Sequence, residues 1–260
     1  MATSAAPLRV AHADDRFFLW SAFAMAAVIV AGFSFQLAMG RSSFASPPIV
    51  HAHAVVFMGW VGIYVLQNVF AATGNRAMHK RLGWLATGWM ALMVVLGFLI
   101  TLVMVQNGRA PFFFQPQLFL ILNPLTLLAF IALSGSAIAM RRRTDWHRRL
   151  HFCGMAILLG PAFGRLLPMP LLIPYAFEAV LFVTMLFPIA GAIADLRRTG
   201  RVHPAWLWGI SAFLLTLLVG EAITNSAAGE QIYRFATAGY PGASVPGMAF
   251  PPPPPMPPAG

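Results

Sequence analysis

An all-α, polytopic transmembrane bundle of seven helices is the fold class that the sequence predicts, and three observations predict it. Mean hydropathy is +0.74 with only 9% charged residues, a composition that no water-exposed surface tolerates. Seven apolar stretches reach the ~20 residues needed to cross a hydrocarbon core of roughly 30 Å as a helix, at about 17–39, 50–72, 82–105, 116–140, 147–167, 171–194 and 204–224. Basic residues also alternate in density between successive connections. With the N-terminus in the cytosol, that side collects Arg9, Arg16, Arg76, Lys80, Arg81, Arg141, Arg142, Arg143, Arg148, Arg149, Arg197, Arg198 and Arg201, 13 of the 17 Lys and Arg. The other side holds Arg41, Arg109, Arg165 and Arg234. This asymmetry predicts N-terminus in and C-terminus out. It also turns the net charge of +10 into a topological signal: the expected partners are the bilayer and anionic head groups on the cytoplasmic side, with no nucleic acid.

The elements follow in order. Residues 1–15 form a short cytoplasmic segment ending in Asp14 and Asp15. The first span is too long for a signal-peptide core of ~7–15 residues and reads as uncleaved. The second opens with "HAHAVVFMGW", where Pro47 and Pro48 keep the approach extended, leaving His51 to the loop and His53 to the helix. His53, Trp60 and Gln67 recur at sevens with Tyr64 between, one stripe that faces the bundle. For His53 the alternatives are a proton- or ligand-carrying imidazole and an interhelical hydrogen bond.

The third and fifth spans open on related words, "MHKRLGW" (78–84) and "WHRRLHF" (146–152). Such a repeat fits a parallel duplication of helix pairs. Asn75 and Asp145 stand where helix caps belong. His147 and His151, at i and i+4, share one face and are candidate metal ligands; the competing reading is a basic collar against head groups. With His79 they form the candidate cytoplasmic-side ligand set for haem b or a divalent metal. Cys153 is the sole cysteine, which excludes disulfides and Cys-rich metal sites and reads as packing. Pro124 and Pro188 permit kinks in the fourth and sixth spans.

The outer half gathers a candidate polar pocket of His53, Gln67, Asn123, Arg165, Glu178 and Glu221. Arg165 and Glu178 flank the turn "LLPMP" at matched depth, which predicts a salt bridge between them. Glu221 then has His53 as its candidate partner across the bundle. The bundle domain runs from 16 to 225, and 226–260, ending in "PPPPPMPPAG", is expected to be a disordered, extended external tail.

The words "HAHAVVFMGWVGIYVLQ", "MHKRLGW" and "DWHRRL" resemble a group of multi-pass bacterial membrane proteins that carry H-x-H before a Trp and a Gln, then H-[KR]-R-L-G, then D-x-H-[KR]-R-L. The resemblance covers about residues 16–225 and implies a seven-helix protein of the bacterial inner membrane with no agreed activity. A weaker likeness is to b561-type cytochromes. It stops at the outer half, where His51 and His53 lie on one span and cannot face each other across a haem; the adiponectin-receptor-like zinc hydrolases, with H-x-x-x-H on their last span, match less well. The sequence holds no G-x-S-x-G elbow, phosphate loop or H-E-x-x-H. Three classes therefore remain: a non-catalytic membrane component, a redox, metal- or haem-binding membrane protein, and a proton-linked small-solute carrier.

Overall fold

A computed structural model describes residues 6–41 and 44–253, with side chains from Asp14 onward. The described residues are helical, with no strand: α1 (Ala6–Ala38), α2 (Pro48–Ala72), α3 (Arg76–Gln106), α4 (Pro116–Ala139), α5 (Thr144–Ile157), α6 (Gly160–Leu166), α7 (Ala176–Thr199), α8 (Pro204–Thr224) and α9 (Ala227–Thr237). Six of them, α1–α4, α7 and α8, are long and apolar enough to cross a membrane. Their flanks carry large apolar side chains in the open, among them Trp20, Val55, Trp84, Phe182, Trp208 and Leu218. An apolar face of that extent is what a helix presents to lipid.

The chain punctuates these helices as its residues dictate. Proline stands in the first turn of α2, α4 and α8, where its missing N–H costs nothing. Asn75 caps α3 by accepting from the Met78 N–H at 3.2 Å. Gly200, at φ +71°, ends α7 in the left-handed conformation that glycine alone adopts freely. Pro124 and Pro188 lie inside α4 and α7 without ending them.

The fifth expected span differs. Instead of one helix over 147–167 there are two, α5 and α6, separated at Leu158 and Leu159. Pro161 has no N–H to offer the carbonyl of Ile157, and Gly160 before it has little helix preference. Neither piece reaches spanning length by itself.

α4 is the central helix: half of its apolar span is buried, against 22% for α2 and for α3. It packs on α5 and α8, while α2 pairs with α3 and α1 lies against α2 and α6. Small residues permit the tight crossings. A Cβ on Gly209 would collide with Cys153, which is fully buried, so the lone cysteine is held as a packing residue. One on Gly32 would stand 2.7 Å from the Ala162 carbonyl oxygen, where α1 meets α6.

The segment from 226 is not the extended tail that its proline and glycine content predicts. Ser226 caps α9 by accepting from the Gly229 N–H, and Tyr233, Thr237 and Gly229 bury one side of that helix. The Tyr233 hydroxyl donates to the Val245 carbonyl at 2.9 Å. Gln106, Gln115 and Gln117 tie the segment down through the Ala236 and Met248 carbonyls and from the Gln117 N–H to the Gly247 carbonyl. Together, residues 226–249 cap the bundle end at which α3 finishes and α4 starts, opposite the arginine-rich end; residues 254–260 lie outside the described residues.

Candidate functional site

At the arginine-rich end, two polar assemblies stand side by side. The first is an ion lattice built by α1, α5, α7 and α8. The Arg149 guanidinium makes a two-point contact with Asp195, Nε to Oδ2 at 2.7 Å and Nη2 to Oδ1 at 2.8 Å. Trp206 Nε1 donates to the same Oδ2 at 2.7 Å. Arg198 reaches Asp195 at 3.0 Å and Asp14 at 2.9 Å, and Arg148 grips Asp14 and extends to Asp15. Three arginines meet three aspartates, with the Phe18 ring beneath two of the guanidinium groups. Arg148, Arg149 and Arg198 therefore do not point at head groups as their sequence position predicts; they are consumed in holding four helices together. Asp145 likewise leaves the capping role assigned to it and bonds the His203 Nε2 at 2.9 Å.

The second assembly is the histidine cluster. His79 and His147 occupy equivalent places in the two repeated words, and they do the same thing. His79 Nδ1 meets the Gln67 carbonyl of α2 at 3.2 Å, and His147 Nδ1 meets the Ala137 carbonyl of α4 at 2.8 Å. A carbonyl only accepts, so each Nδ1 carries the hydrogen and each Nε2 is left with its lone pair. The two rings lie 6.2 Å apart, and His151 adds a third ring 4.8 Å from His147, edge to face. Among the described residues, no group of three or more His, Cys, Asp or Glu side chains is spaced to hold a metal ion.

Unpartnered polar atoms gather around α2. The stripe His53, Trp60 and Gln67 carries three of them, Nδ1, Nε1 and Oε1, each buried and without a hydrogen bond. Ser134 Oγ on α4 is a fourth. Buried polar groups are nearly always paired, so these unpartnered atoms set the stripe apart from the fully bonded ion lattice. The His53 ring stacks on Phe57, centroids 4.1 Å apart. His51, expected in the loop, lies instead in the first turns of α2, its Nε2 3.2 Å from the Phe44 carbonyl of the preceding loop.

Of the six residues assigned to one outer pocket, Gln67 stands apart from His53 along α2. Gln67 lies 14 residues beyond His53, about 21 Å along the helix, and backs His79 instead. Asn123 is used up on the Thr101 hydroxyl at 3.0 Å. The expected Arg165–Glu178 salt bridge is not formed among the described residues. The α5–α6 break turns Arg165 toward α1, where its guanidinium covers the Phe33 ring at 4.1 Å and donates to the Pro161 carbonyl at 2.7 Å. From there it lies close enough to interact electrostatically with His53. Glu178 keeps a buried, unpaired Oε2 and feels the charge of Glu221; Glu221 itself accepts from Asn225 at 3.0 Å.

Sequence reasoning passed over Asp14, Asp195 and Trp206 as site-forming residues. The available signal was Asp195, an acidic residue placed on an apolar helix two residues before Arg197 and Arg198. Compared with protein-family models, with curated proteins and with solved structures, the chain matches none.

Proposed function

We propose that the chain is a non-catalytic, multi-pass component of the bacterial inner membrane, and that its His79–His147 pair, with His151 packed beside it, takes up and releases protons at the cytoplasmic face. The seven-crossing, N-in arrangement rests on the basic residues of the connections and on counting α5 and α6 as one interrupted span, 23 residues or about 34 Å long. The motif resemblance supports the same placement. The observation that carries the proton reading is the pair of Nδ1 tethers: they hold two imidazoles in a fixed tautomer and leave both Nε2 lone pairs free to accept a proton. Gln67 Oε1, Ser134 Oγ and Trp60 Nε1 supply the unfilled polar atoms that internal water would occupy.

The test is proton movement in vesicles. Purified chain, reconstituted with a trapped pH dye and driven by a valinomycin-clamped potassium gradient, is expected to acidify the lumen faster than protein-free vesicles. His147→Gln and His79→Gln are expected to fall to the protein-free rate. Wild-type flux equal to empty vesicles overturns the reading.

A metal or haem site is the second reading, favoured by the same tethers, since metal-bound imidazoles are held by a hydrogen bond from their other nitrogen. An absorption spectrum with elemental analysis of the purified chain separates the two: a haem band or stoichiometric metal assigns the cluster to ligation.

A further inference from the structure

The ion lattice has a lipid-facing neighbour. Between α1 and α7 lies a cleft of about 450 Å³ lined by Phe17, Ala190, Ile193, Ala194, Arg197 and Arg198, within the roughly 300–1,000 Å³ of clefts that hold small ligands. The five α7 residues follow at i, i+3, i+4, i+7 and i+8, so they form one continuous face of that helix. The face is graded. Ala190, Ile193 and Ala194 are small or apolar and lie toward the middle of the span, with Phe17 opposite; Arg197 and Arg198 close it at the helix end.

The charges at that end are unequal. Arg198 is bound to Asp14 and Asp195, and the lattice of Arg148, Arg149 and Arg198 against Asp14, Asp15 and Asp195 balances three for three. Arg197 stands outside it, exposed and with no ion pair among the described residues. The cleft thus offers an apolar trough about one helix turn and a half long, ending at one uncompensated guanidinium, and it opens on the surface that lipid covers.

We propose that this cleft is a binding site for an anionic phospholipid, with an acyl chain lying along Ala190, Ile193 and Ala194 against Phe17 and the phosphate held by Arg197. A free inorganic anion would leave the trough empty, and a zwitterionic lipid would bring its own cation to a site already positive. The site rests on the bundle being a membrane protein with its arginine-rich end at an interface, but not on proton uptake by the histidines.

Native mass spectrometry of the full chain in detergent, offered chain-matched phosphatidylglycerol and phosphatidylcholine in equal amounts, tests it. Phosphatidylglycerol adducts are expected to survive collisional activation that strips phosphatidylcholine, to fall severalfold in Arg197→Ala, and to be unchanged in Arg142→Ala, an exposed arginine of the same end outside the cleft. Ala194→Trp, which fills the trough, is expected to lose the adduct too; should that variant not fold, Arg197→Ala decides alone. Equal retention of the two lipids, or an equal effect of the two arginine variants, overturns the site while leaving the membrane assignment intact. Displacement of phosphatidylglycerol by millimolar inorganic phosphate or by its glycerol-phosphate head group alone overturns it in favour of a soluble anion. Retention of no lipid of either kind overturns the site, while the membrane assignment rests on the apolar helices and stands apart. Proton flux in the Arg197→Ala vesicles reports separately on the histidines.

Discussion

Asp195 accepts from Arg149, Arg198 and Trp206 while almost fully enclosed, with Arg149 enclosed beside it. Such a pair contributes little net stability relative to apolar residues of the same shape, because both charges have left water. Removing one member is a different matter, since it strands the other. Asp195→Ala is therefore expected to cost about 3–5 kcal/mol, measured as a fall in the unfolding midpoint of the detergent-solubilised chain, whereas Asp195→Leu combined with Arg149→Met recovers most of that loss. Equal destabilisation by the single and double variants would mean that the lattice is held by something other than this pair. None of these partnerships was legible in the sequence. Asp14 and Arg148 are 134 residues apart, and positional reasoning assigns an arginine to a membrane side without saying whether it faces lipid or a carboxylate on another helix. The histidine stripe was legible because its members lie on one helix, where spacing alone fixes the face.

The helices that are continuous in hydropathy were legible as elements; the interruptions were not. A window of twenty residues averages over "GP" at 160–161, so the α5–α6 break vanishes, although the dipeptide itself signals a breaker. That break moved Arg165 off Glu178. The C-terminal segment shows the reverse error. Its prolines and glycines suggested an unstructured chain, yet Gly229, Tyr233 and Thr237 recur at fours on α9 and were a readable stripe. Part of what fixes the loop after it lies elsewhere, on Gln115 and Gln117 at the start of α4, where a single strand of sequence cannot be seen to lead. Tyr233→Phe removes the hydrogen bond to Val245 and is expected to cost the cap about 1 kcal/mol, read as faster amide exchange over residues 238–247 with the bundle unaffected. Burial also holds the Tyr233 hydroxyl pKa above its usual value. The protonated form is the one the folded cap prefers, so its stabilisation is complete below about pH 10 and is lost as pH rises through the higher folded value; the alkaline loosening of 238–247 should be absent in Tyr233→Phe.

At the scale of the molecule, α2–α3 and α4–α5 are two helix pairs that carry out one design twice. In each, the histidine of the H-[KR]-R-L word donates Nδ1 to a carbonyl of the helix before it, and the two imidazoles then meet near the same end. Which side of the membrane that end faces decides where the proposed proton exchange would take place and which leaflet would supply the lipid proposed for the α1–α7 cleft. The packing supplies a clean way to ask. Cys153 is fully buried against Gly209, so a membrane-impermeant maleimide should leave the unsubstituted chain unlabelled and its background silent. Arg142 lies exposed in the connection at the arginine-rich end, and Glu230 is exposed on α9 at the opposite end. Glu230→Cys is expected to label in intact cells from which the outer barrier has been stripped, and Arg142→Cys only after the inner membrane is opened. The converse pattern would turn the whole bundle over, moving the histidines and Arg197 to the outer leaflet, where the density of basic residues would no longer have an electrostatic reason.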